Sequence, residues 1–183
     1  MRQVGFTRMD EGTREDYELL ARDEAAEIAA FPERVLEWLR GMDTPSPYPV
    51  TRLEHSLQAA TRAHRAGESE EMVVACLLHD IGDVLGPANH SEVAAAVLRP
   101  YVSERIYWIV KNHGLFQGYY YNHHYGQDPN ARDIYRDHEW FADTARFCAE
   151  YDQISFDPEY ESETLEFFEP MIRRVLAESR YAQ

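Results

Sequence analysis

The stretch Val73–Gly86, "VVACLLHDIGDVLG", constrains this chain more than any other. Six apolar residues run straight into His79 and Asp80. A carboxylate carried into a core by such a run needs strong compensation, and one adjacent histidine does not supply it. Further partners must come from elsewhere in the chain, and a metal ion is the compensation that best suits a mixed imidazole and carboxylate set.

Punctuation along the chain predicts helices almost throughout. Thr13 to Phe31 reads as a helix with a Thr13 cap, acidic residues in its first turn, and an apolar side of Leu19, Leu20, Ala26, Ile28 and Ala29. A second helix starts at Pro32 and stops at Gly41. The three prolines of "TPSPYP" require a rigid loop. Helices are expected over Thr51 to Ala66, from Ser69 to Gly82 or Gly86, over "NHSEVAAAVLRP" as far as Pro100, and from Ser103 to Gly114. Residues 115–137 are aromatic, polar and weakly periodic, and read as a long functional loop. Two last helices are expected, over Trp140 to Gln153 and Ser162 to Arg180. Strand-like alternation is scarce, so the expectation is one all-α domain over 1–183. Its metal-site core spans about 50–168, with the helices of 13–41 packed on it.

Eight histidines occur, and His55, His90 and His113 fall where helices could bring them to His79. A turn at Gly67 allows His55 and His79, 24 residues apart, to meet across two neighbouring helices. Asp152 lies near the end of a later helix. Together His55, His79, Asp80, His90, His113 and Asp152 suit iron, manganese or zinc, and Asp80 has the two oxygens needed to bridge a pair of ions. His64 and His138 read as surface or satisfied core histidines.

Composition excludes other classes. The formal charge of −15 opposes binding to nucleic acid or to an anionic membrane surface. Lys111 is the only lysine and sits in no phosphate-binding or Schiff-base motif. Cys76 and Cys148 lie in apolar helical patterns and read as buried free thiols in a reducing compartment. With no membrane-spanning run and no signal-like segment, the expectation is a cytoplasmic protein, monomeric or homodimeric.

The pattern His55…His79-Asp80…Asp152 resembles the HD-domain superfamily of metal-dependent α-helical proteins. His90 and His113 make it the two-metal version. The flanking text "PVTRLEHSLQAATRA", "LLHDIGDVLG", "HSEVAAAVL" and "YDQISFDP" looks most like the mixed-valent di-iron oxygenases, the group of 2-amino-1-hydroxyethylphosphonate dioxygenase and myo-inositol oxygenase. The similarity runs from about Val50 to Phe168. It implies two iron ions (Fe2+/Fe3+), one on His55, His79 and Asp152, the other on His90 and His113, bridged by Asp80. It also implies O2-dependent cleavage of a C–P or C–C bond in a small hydroxylated substrate. Manganese or another divalent metal is the alternative, with hydrolysis of a small phosphoester or nucleotide as the corresponding reaction, since many HD-domain proteins are phosphohydrolases. An inert module that kept the site as structure is a third reading.

Where the phosphonate-cleaving members carry lysines, this chain reads Gln117 and Ser155, and Tyr48 only approximates their tyrosine gate. Arg132 or Arg136 could then bind an anion. Tyr120 and His124 join the substrate candidates, and the tyrosine faces suit a sugar-like or quaternary ammonium group.

Overall fold

The computed structural model describes residues 3–177 and 179–180. It is helical, with no strand among the described residues. Helices α1 (Arg14–Ala29) and α3 (Arg52–Arg65) each start from a threonine whose hydroxyl accepts from the backbone three residues on, while the Asp16 or Glu54 carboxylate accepts the threonine's own N–H. Helix α2 (Phe31–Gly41) carries its proline in the first turn, as expected. Ser69 caps α4 (Glu70–Leu78), whose residues Met72 to Leu78 are all buried. A helix apolar on every side has to be a central element, and α4 is packed by α3, α6 and α8.

Helix α4 stops at Leu78, short of both glycines expected to end it. His79 is its C-cap, Asp80 begins a 3-10 turn at Ile81–Val84, and a second such turn, Pro87–Asn89, leads into α5 (His90–Leu98). Gly82 has a packing duty. A side chain there would collide with the His90 backbone, so only glycine lets this turn lie against the start of α5.

The expected loop over 115–137 is the largest correction. Helix α6 runs from Glu104 to Tyr121, straight through Gly114, and two 3-10 turns (Asn122–Tyr125 and Ala131–Tyr135) occupy much of the remainder. Gly114 is a crossing point: a Cβ there would meet Ser91 Oγ at 2.7 Å, so its bare backbone lets α5 and α6 approach closely.

Helix α7 (Phe141–Phe147) passes into a π-helical turn, Cys148–Asp152. Helix α8 (Leu165–Val175) is shorter than the expected Ser162–Arg180, of which residue 178 lies outside the described residues. One hydrophobic core unites α2 to α8 through residues such as Leu36, Leu77, Phe116, Phe147 and Phe168. Helix α1 stands apart: the apolar side expected for it buries no residue, and Ile28 is exposed. Cys76 and Cys148 are buried free thiols, and burial pushes both thiols up, with the Asp152 charge adding to it. No helix among the described residues is long and apolar enough to cross a membrane.

Candidate metal centre

Each of the six expected groups is delivered by a different local device. His55 sits in the first turns of α3, His79 at the end of α4, and Asp80 at the start of the turn after it. His90 opens α5, His113 lies within α6, and Asp152 ends the π-helical turn. The extra residue in a π turn rotates the side chains beyond it, and such turns are frequent at functional sites.

The six converge. His55 Nε2 and His79 Nε2 are 3.1 Å apart, and His90 Nε2 and His113 Nε2 are 3.2 Å apart. Asp80 lies between the pairs and addresses each with a different oxygen. Its Oδ2 is 3.5 Å from His55 Nε2 and 3.6 Å from His79 Nε2. Its Oδ1 is 3.4 Å from His90 Nε2 and 3.3 Å from His113 Nε2. Asp152 Oδ1 closes the first group, 3.4 Å from His55 Nε2 and 3.6 Å from His79 Nε2.

The outer faces of the rings decide what the inner faces can do. His55 Nδ1 donates to the Ser155 carbonyl at 2.9 Å, His79 Nδ1 to the Cys76 carbonyl at 2.7 Å, and His113 Nδ1 to the Val110 carbonyl at 2.6 Å. A carbonyl only accepts, so in the neutral rings the proton sits on Nδ1 and Nε2 offers a lone pair. Neutral imidazoles in that tautomer cannot hydrogen-bond to each other through Nε2. They meet favourably only across a cation or a shared proton. Asp152 Oδ2 is likewise buried without a hydrogen-bond partner. Converging lone pairs, divided carboxylate oxygens and one orphaned oxygen fit metal ions.

Electrostatics agree. Burial opposes charge on His55 and His79, yet their contacts with Asp80 and Asp152 outweigh it and raise both. The same contacts hold the Asp80 and Asp152 carboxyls below the usual range against their burial. His90 is lowered, by its own burial first, despite the nearby Asp80 charge.

Two residues that sequence reasoning missed lie beside the second pair. Asp83 Oδ1 lies 3.8 Å from His90 Nδ1, and Arg52 forms an ion pair with Asp83 Oδ2. At 3.8 Å Asp83 is beyond hydrogen-bond reach, and the Pro87 backbone carbonyl accepts from the His90 ring instead. A signal for Asp83 exists in the sequence, where it stands one turn after Asp80.

A cavity of about 640 Å³ opens onto the centre. The residues expected to bind substrate divide around it. Tyr48, Gln117 and Tyr120 line the cavity, joined by Tyr121, Tyr125 and Phe156, which the sequence did not single out. Gln117 Nε2 donates to Asp152 Oδ1 at 2.9 Å, so it steadies a candidate ligand. His124, Arg132 and Ser155 do not line the cavity. His124 is exposed beside His123. Arg132 stacks 3.8 Å over Tyr119, and Arg136 pairs with Asp133. The Ser155 hydroxyl donates to the Tyr151 carbonyl, while its own carbonyl orients His55. His64 lies exposed against Phe167, and His138 stacks on Trp108.

Over 76 residues the chain is 38% identical to the [1-hydroxy-2-(trimethylamino)ethyl]phosphonate dioxygenase (glycine-betaine-forming) of Leisingera caerulea. That stretch covers 36% of this chain and 39% of the relative's length. The HD domain model matches residues 52–155, from the start of α3 to just past Asp152. With the His79-Asp80 pair inside that span, the chain belongs to the HD-domain family.

Proposed function

We propose that this chain is an O2-dependent di-iron oxygenase that cleaves the C–P bond of a small hydroxylated organophosphonate. The observation that carries a two-metal reading is the division of Asp80, one oxygen toward each histidine pair. His55, His79 and Asp152 would hold one iron, His90 and His113 the other, and Asp80 both. When bound, the pair supplies one-electron and oxygen chemistry that no side chain has. The chain's own residues do the rest. The Ser155, Cys76 and Val110 carbonyls fix the imidazole tautomers. Gln117 holds Asp152 in place.

The choice of oxygenase over hydrolase is supported by the relative's reaction and by the cavity wall. Tyr48, Tyr120, Tyr121, Tyr125 and Phe156 offer aromatic faces that attract a quaternary ammonium group, such as the trimethylamino group in that relative's name. Tyr48 packs on Phe156, and Phe156 in turn on His55, so this wall reaches the metal ligands.

The test is metal analysis with electron paramagnetic resonance after partial reduction, together with turnover of (1-hydroxy-2-(trimethylamino)ethyl)phosphonate. Two irons per chain, a coupled mixed-valent signal and phosphate release only with O2 are expected. A protein that holds manganese or magnesium and hydrolyses a phosphoester without O2 would be a hydrolase, and the proposal would fall.

A further inference from the structure

We infer that Arg52 is the cavity's anion-binding residue, which takes the oxyanion end of the substrate, a phosphonate or phosphate-type group. The inference rests on the reading of the cavity as the substrate site. Among the described residues that line it, Arg52 is the only lysine or arginine. The arginines that sequence reasoning offered for this task are engaged elsewhere, Arg132 with Tyr119 and Arg136 with Asp133.

Arg52 is the first residue of α3 and comes directly after the Thr51 cap, whose reciprocal bonds with Glu54 fix the backbone there. It precedes His55 by three residues, and positions three apart share a helix face. The cation and the candidate metal ligand therefore lie on the same side of α3. Asp83 anchors the guanidinium from the neighbouring turn. A guanidinium has five N–H donors, and among the described residues Asp83 is the only group engaging this one. Its side chain is 44% exposed at a cavity it lines, so donors remain for a second anion. A planar fork suits a phosphonate better than a lysine does. Ion pairing to Asp83 also limits the rotamers that binding must freeze out.

The cavity thus combines one guanidinium, from α3, with several aromatic faces: Tyr120 and Tyr121 from α6, Tyr125 from the turn after it, and Tyr48 and Phe156 beside His55. A zwitterionic substrate, anionic at one end and quaternary ammonium at the other, matches that combination.

The experiment is calorimetric titration of the metal-loaded protein with methylphosphonate and, separately, with tetramethylammonium, with metal content measured on the same samples. Arg52→Gln is expected to weaken methylphosphonate roughly 10- to 100-fold. Metal content and tetramethylammonium affinity should be unchanged, and Arg52→Lys should restore part of the loss. Three results would overturn the inference: no methylphosphonate binding by the wild type, wild-type affinity in Arg52→Gln, or loss of metal in that variant. The last would mean that Arg52 serves only to hold Asp83 behind His90. Failure of the oxygenase reading would show in iron content and O2 dependence, which these affinities do not involve.

Discussion

At the scale of single residues, Asp80 carries the largest consequences. A carboxylate that faces four imidazole nitrogens from between two histidine pairs cannot be replaced by a neutral group without stranding both. Asp80→Ala is expected to lose both metals, read by metal analysis after desalting; a variant that retains two would refute the bridging role. Asp83→Asn tests the neighbouring carboxylate separately. Removing the charge that Asp83 places 3.8 Å from His90 should weaken metal on the His90 and His113 side less than loss of a ligand does, while the His55 side keeps its ion. Equal loss at both sites would show that Asp83 supports the fold rather than His90. The place of Asp80 among histidines was legible from its position after an apolar run. The role of Ser155 was not, because its backbone carbonyl does the work and a carbonyl leaves no trace in residue type.

At the scale of elements, glycine explains what was and was not legible. Helix identity could be read nearly everywhere, since caps such as Thr13, Thr51 and Ser69 announce the starts. The end of α6 was misplaced because Gly114 resembles a terminator, whereas it serves a helix crossing. That contact is made with Ser91, 23 residues earlier, and local pattern holds no information about it. Reading it as a terminator turns the last two turns of α6 into loop. Gly82 supplies the matching test. Gly82→Ala drives a methyl into the His90 backbone, and is expected to destabilise the fold by about 1–3 kcal/mol. It should also lower metal occupancy on the His90 side, as seen by denaturation and metal analysis. Full occupancy at wild-type stability would mean that the turn is free to shift.

At the scale of the whole molecule, the buried charges link folding, protons and metal. In metal-free protein, raised pKa values at His55 and His79 contribute stability that is complete below their ordinary 6.5 and fades as pH rises through the raised values. The depressed carboxyls of Asp80 and Asp152 contribute stability that is complete above their ordinary 3.8 and fades as pH falls. These four groups therefore favour the metal-free fold between those values, while the lowered His90 works against it as pH falls below 6.5. Metal binding runs the other way, because a protonated His55 or His79 must shed its proton to coordinate. The rise in melting temperature on adding metal should grow from about pH 6 to about pH 8; a rise that is flat or shrinks with pH would show that these histidines do not bind it. The close crossing at Gly114 has a further consequence. Its absent side chain sets the clearance between the helices that bear His90 and His113, and a Cβ there would lie 3.8 Å from the His90 ring. One methyl group is thus a gauge for the spacing of two candidate ligands, and Gly114→Ala is expected to change the electron paramagnetic resonance signal of the iron-loaded, partially reduced protein; an unchanged signal would show that the crossing gives way without moving them.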